Sequence, residues 1–354
     1  MNKRNGFSVF PVKKYLLIFW SIILAIVTLT ITLMSTSTLA AVKNGQESFA
    51  SYKGNKISYY QYGDTKNPPV VVTGGYPWDS SPEIGQAKDL ASRGLYVIRY
   101  DQQGSGDSSH PSQEEDYSLP NLAGAFGSVI DKAAPGRHVN VTGIGWTGTI
   151  ATEYANEHPG RITSMDSIDT PSLEIGWKNL RAANQNMVFN PSSVPSVVWQ
   201  DVALSYEIGL ATPGIKPLLG VLGATGIPNW LVNIVTAAWV GDYKDIVQHP
   251  DYFFGGPTHK EDFKPGTYKY SWMAKNRILP NHLTSYIPIS HVHVFNATQD
   301  PIETSVLNQG LDKETPHLEE SNLDANHLSW GEGENLKTVD KTVVKTIQEA
   351  QSDK

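Results

Sequence analysis

The chain of 354 residues has no cysteine. Disulfides, thiolate nucleophiles and cysteine-bound metal sites are excluded together. It shows no tandem repeat and no low-complexity tract, and no Gly-x-Gly-x-x-Gly follows a strand-like run, so a dinucleotide-binding unit has no support. Acidic residues are missing from 1–43, where Lys3, Arg4, Lys13, Lys14 and Lys43 are the charges. The other 23 basic and 35 acidic residues leave a net of −12. A phosphate-binding surface needs the opposite balance, which argues against a nucleic-acid partner.

What is present begins with an uncharged run, YLLIFWSIILAIVTLTITLM, residues 15–34. Basic residues ahead of such a run imply export, with 1–43 acting as a signal peptide or a membrane anchor. The run is long enough to span a bilayer, and STSTLAA offers small residues for cleavage after Ala40, so cleavage and anchoring both stay open. Any membrane contact is expected only through this segment.

Beyond residue 50, strand and helix signals alternate. NKISYYQYG reads as an edge strand ending at Gly63, and PVVVTGG, LYVIRYD, HVNVTG and ITSMDSIDTP as further strands. Helical spacing runs from Glu83 to Arg93, through YSLPNLAGAFGSVIDKA and through TGTIATEYANEH. After Pro171 the rhythm changes. Helical stretches such as VVWQDVALSYEIGL and NWLVNIVTAAWV fill 172–277 before HVHVFNATQD resumes the strands and a last helix runs from Glu334 to Gln348. Alternating strands and helices predict a mostly parallel sheet covered on both faces. The domains then read as a core in two parts, 44–171 and 278–354, with a helical cap, 172–277, inserted between them.

Val139 to Ile162, VNVTGIGWTGTIATEYANEHPGRI, is the most informative stretch. It reads as a buried strand, a glycine turn and an amphipathic helix, an arrangement that presents one residue clear of the sheet. With the motifs VVVTGGYPWDSS, YDQQGSGDSS, GTYKYSWMAKNRILP, NATQDP and DANHLSW in this order, the chain resembles the α/β-hydrolase fold, in particular its epoxide hydrolase-like branch. It is also similar to hydrolase-like domains fused to short-chain dehydrogenases. The resemblance covers about residues 55–350.

The resemblance implies roles residue by residue. GIGWTG matches an elbow motif whose nucleophilic aspartate position is held here by Gly145, so the nucleophile position is vacant. Gly74 replaces the histidine of the oxyanion loop. Backbone N–H groups of Tyr76 and Trp146 would form the oxyanion hole, which requires no particular side chain. Tyr270 aligns with a tyrosine that activates epoxides, Asp300 with the acid and His327 with the general base. Asp169 is read as a turn cap within reach of the site mouth, and Asp101 and Thr147 as structural. Among the other histidines, His249, His259, His291 and His293 have no ligand spacing, and His291-x-His293 reads as one exposed strand face. No metal and no organic cofactor are implied.

Gly145 excludes covalent catalysis by residue 145. Three readings remain open. In one, the His327–Asp300 pair activates water or removes a proton without an ester intermediate, acting on a small apolar substrate. In another, the chain is a catalytically inactive protein that binds a small ligand. In the third, it is a purely structural exported domain that needs no pocket. The oligomeric state is not legible.

Overall fold

The computed structural model describes residues 45–75, 78–187, 189–211, 262–278, 286–300, 302–327, 329–331 and 333–353. The apolar run 15–34, Tyr76, the stretch 229–240 and His249 and His259 lie outside the described residues. Glu47–Lys354 forms one compact unit. None of the described helices is long and apolar enough to cross a membrane.

Eight strands build one sheet: β1 (Gln46–Tyr52), β2 (Asn55–Tyr62), β3 (Pro69–Thr73), β4 (Tyr96–Tyr100), β5 (Val139–Ile144), β6 (Ile162–Ile168), β7 (His291–Ala297) and β8 (Leu318–Leu323). Their spatial order is β1-β2-β4-β3-β5-β6-β7-β8. β2 runs antiparallel to β4, and every neighbouring pair from β4 to β8 is parallel. The swap of β3 and β4 puts β3 and β5 side by side, so the loops after both open at one end of the sheet.

Alternation along each strand divides the core. Val71, Ile98, Val141 and Met165 face α2 (Leu119–Ala133) and α3 (Trp146–Glu157), packing on Phe126, Ile130, Ile150 and Tyr154. Val70, Val72, Val97 and Ile168 face the other way, onto Leu90 of α1 (Ile84–Ser92) and Val339, Val343 and Ile347 of α7 (Gly333–Ser352). The sheet is thus covered on both faces, as the alternation of apolar runs requires.

Three differences from the sequence reading have simple causes. β2 is not the edge: β1 lies outside it, with only Ala50 of QESFASY buried, so no apolar run announces that strand. β8 is LEESNL, a polar outer strand with the same lack of signal. It also covers His293, which is buried rather than on an exposed face, with Nε2 2.8 Å from Ser321 Oγ on β8.

Within 172–277 the described helices are α4 (Leu173–Asn186), α5 (Val194–Ala211) and α6 (Phe263–Met273). Leu180 of α4 and Val197 and Leu204 of α5 pack with Ile302, Val306 and Leu307, which follow β7. Gln200 of α5 fixes that loop from its side chain, accepting from Thr304 N at 2.9 Å and donating to Ile302 O at 2.5 Å. These helices therefore position a loop of the core.

Candidate active site

Gly145 joins β5 to α3 at φ 56°, ψ −111°, a backbone that L side chains adopt only under strain. The turn survives because its neighbours are small. A Cβ on Gly148 would lie 2.3 Å from Pro171 O, and Thr147 is turned away to donate to Thr73 O at 3.0 Å. The first N–H groups of α3, Trp146 foremost, have no acceptor within the helix and point toward the turn. Tyr76, the other expected oxyanion donor, is outside the described residues.

His327 and Asp300 come together from separate loops. His327 Nδ1 stands 2.6 Å from Asp300 Oδ2. Asp300 Oδ1 accepts from Ile302 N at 2.6 Å and Glu303 N at 3.0 Å. Burial pushes the Asp300 carboxyl up, but His327, Asp169 and the Ile302 N–H outweigh it and hold the carboxyl below its ordinary value.

Asp169, at the end of β6 with φ 57°, lies behind this pair. Its Oδ1 accepts from Ala297 N at 2.8 Å, and its own N–H donates to Phe295 O. Burial, then the charges of Asp300 and Glu303, drive its carboxyl well above the ordinary range. Held as an acid, Asp169 donates to Asp300 and steadies it. Asp169, Asp300 and His327 bring ligand atoms within 4.8 Å of one another, the one such group among the described residues. A metal ion there would displace the hydrogen bonds just described, since each of the three already engages one.

A cavity of about 50 Å³ borders Gly145, Trp146, Tyr270 and His327. One water needs only ~10–15 Å³ on this measure, so several fit. Its walls include Ile144, Leu173 and Trp330, but also Glu83, Glu207 and Glu303. Trp146 and Tyr270 meet edge to face with ring centroids 5.2 Å apart, which sets Tyr270 against the elbow. Asp101, by contrast, is occupied with structural contacts, accepting from Ser80 N and Ser80 Oγ in the loop after β3 and from Asp107 N in its own loop.

Three site residues had no sequence reading. Glu303 is buried, and its Oε2 accepts from Thr170 N at 3.0 Å. Burial raises its carboxyl to about 7, Asp300 adding to the shift and His327 opposing it. Glu83 is also buried and raised, to about 8, by burial above all. Lys269 sits beside Tyr270 on α6, and burial lowers its ammonium to about 7. Its Nζ donates to Gln102 Oε1 at 3.1 Å and lies 5.0 Å from the Trp146 ring centre, while Gln102 donates to Gly74 O at 2.7 Å. That relay ties α6 to the oxyanion loop. The only sequence signal for Glu303 was an acid three residues past Asp300.

The likenesses to known proteins agree with this fold. Residues 68–191 match the alpha/beta hydrolase fold family model. "Probable oxidoreductase EphD" of Mycobacterium tuberculosis is 27% identical over 233 residues, 63% of this chain and 37% of that protein. "Bifunctional epoxide hydrolase 2" of Rattus norvegicus is 24% identical over 163 residues, 46% of this chain and 26% of that protein. The chain has the α/β-hydrolase fold and is epoxide hydrolase-like. It spans well under half the length of these two relatives. Among solved structures, a Vigna radiata epoxide hydrolase mutant superposes with a TM-score of 0.65 at 17% identity, covering 87% of this chain and 99% of that one. A Bacillus megaterium epoxide hydrolase superposes at 0.63 with 15% identity, covering 85% and 100%. At these identities the two structures speak for the fold.

Proposed function

We propose that this epoxide hydrolase-like protein hydrolyses a small epoxide or ester with a largely apolar body, making no covalent bond to residue 145. His327, oriented by Asp300, activates water or takes a substrate proton. Tyr270 donates to the oxygen that leaves carbon, and the Trp146 N–H supports developing negative charge. The supporting observation is the 2.6 Å His327–Asp300 contact beside a cavity that also reaches Gly145 and Tyr270. An imidazole oriented by a buried carboxylate is suited to act as a general base.

We infer further that residues 15–34 direct export, cleaved or retained, and that 172–277 caps the site. The test is turnover by the full chain on epoxide and ester panels beside His327→Ala. General-base loss is worth ~10²–10⁴-fold in rate. Turnover that survives His327→Ala unchanged rejects the assignment. Saturable binding of a small ligand with no turnover replaces it with the binding-protein reading.

A further inference from the structure

We infer that Glu303 is the nucleophile of this site, its carboxylate entering from the loop after β7 to occupy the ground that a side chain on Gly145 would take. The inference rests on the proposed hydrolytic function and adds the covalent step that residue 145 cannot make.

The geometry carries it. Among the described residues, a Cβ built on Gly145 meets one heavy atom beyond its chain neighbours within 4 Å, Glu303 Oε1, at 3.6 Å. An elbow carboxylate would extend from that Cβ, so Oε1 lies where the attacking group of such a site belongs. Glu303 and Gly145 both border the cavity that His327 and Tyr270 border. The side chain is held in place, since Oε2 accepts from Thr170 N at 3.0 Å and the flanking backbone is bound to Asp300 and Gln200. Its neighbours Ile302 and Val306 are packed under α4 and α5. A buried carboxyl with this affinity for protons is otherwise a destabilising choice, and such groups concentrate where chemistry is done.

The two oxygens divide the work. Oε1 forms a bond to an epoxide carbon as the ring C–O bond breaks, and the ring oxygen takes the proton of the Tyr270 hydroxyl. Oε2 becomes the ester carbonyl oxygen. Water loses a proton to His327 and adds to that carbonyl carbon, and the resulting oxyanion faces the Thr170 N–H already directed at Oε2. The Cδ–Oε1 ester bond then breaks, and Oε1 leaves on the departing diol and takes the proton from His327. Glu303 is left as an acid and returns its proton to the Tyr270 phenolate. Epoxide and water give diol, and no other reactant is consumed.

The test uses the full chain with styrene oxide. A single turnover by the unmodified protein in heavy-oxygen water is expected to give unlabelled diol and one heavy oxygen in the peptide containing Glu303. His327→Gln is expected to accumulate an adduct of the epoxide's mass on that peptide, and Glu303→Gln to form no adduct and lose turnover about a thousandfold or more. Turnover that depends on His327 but places heavy oxygen in the first diol overturns the role of Glu303 and leaves the hydrolytic reading intact. So does Glu303→Gln with undiminished turnover. Absence of both turnover and adduct overturns the two together.

Discussion

One oxygen of Asp300 holds Nδ1 of His327 at 2.6 Å, and its other oxygen is held by the backbone N–H groups of Ile302 and Glu303. The carboxylate is therefore fixed from both sides and fixes the imidazole in turn. Asp300→Asn keeps the size but presents an amide N–H to the ring, favouring the wrong tautomer. Turnover is expected to fall by about two to four powers of ten with KM little changed, read from steady-state kinetics. A change confined to KM contradicts an orienting role.

Glu303 sets a pH dependence whose sign follows from its raised carboxyl, about 7 against an ordinary 4.5. As a nucleophile it must be ionised, so kcat/KM is expected to rise with pH through about 7. Stability runs the other way. The native form binds the extra proton between the two values, so the stability is fully present below the ordinary value and lost as pH rises through about 7. Glu303→Gln removes that loss and is expected to be more stable than the parent at pH 8 by up to about 3 kcal/mol, with little gain near pH 4. Urea denaturation at the two pH values reads it.

Gly145→Asp tests the vacancy directly. The new Cβ meets Glu303 Oε1 at an ordinary contact distance, 3.6 Å, so the side chain has room to start. Positive φ at a non-glycine residue costs ~1–2 kcal/mol. A second carboxylate beside Glu303 costs more, because like charges in one buried site do not both ionise readily. The single substitution is expected to lower Tm and move the rising limb of kcat/KM to higher pH. Combined with Glu303→Gln the crowding disappears, and epoxide turnover is expected to exceed that of Glu303→Gln alone at least tenfold. No recovery in the double variant speaks against an intact elbow geometry.

Asp340, which does not line the cavity, makes an independent stability prediction. It is buried on α7, where Gln86 Nε2 donates to its Oδ1 at 3.0 Å. Burial, reinforced by Asp89, raises its carboxyl to about 8. The same sign applies: its contribution is lost as pH rises from the ordinary carboxylate range through about 8. Asp340→Asn keeps an acceptor for Gln86 and a donor toward Asp89. It is expected to be more stable than the parent above pH 8 by a few kcal/mol at most, and equal to it near pH 4. Thermal melts across that range check it.

Much of this was legible along the chain. The buried parallel strands β3, β4, β5 and β6 announce themselves as short apolar runs because both faces are covered. The turn at Gly145 and the pairing of His327 with Asp300 followed from motif order. β1 and β8 did not, since an outer strand needs few apolar residues, and the burial of His293 is not legible along the chain because it depends on β8 lying over it.

What the chain determined by itself was local: which residues form the buried strands, where the elbow turns, and that position 145 carries no side chain. Only the tertiary structure decided what fills the space beside it. Glu303 reaches Thr170 across 133 residues of sequence, and Asp169 meets the strand that precedes Asp300 across a comparable span. Such meetings leave no periodic trace, because they arise from the order of strands in the sheet and the packing of α4 and α5 against one loop. Burial then shifts the proton affinity of the same carboxyl by an amount that its position in the sequence does not encode.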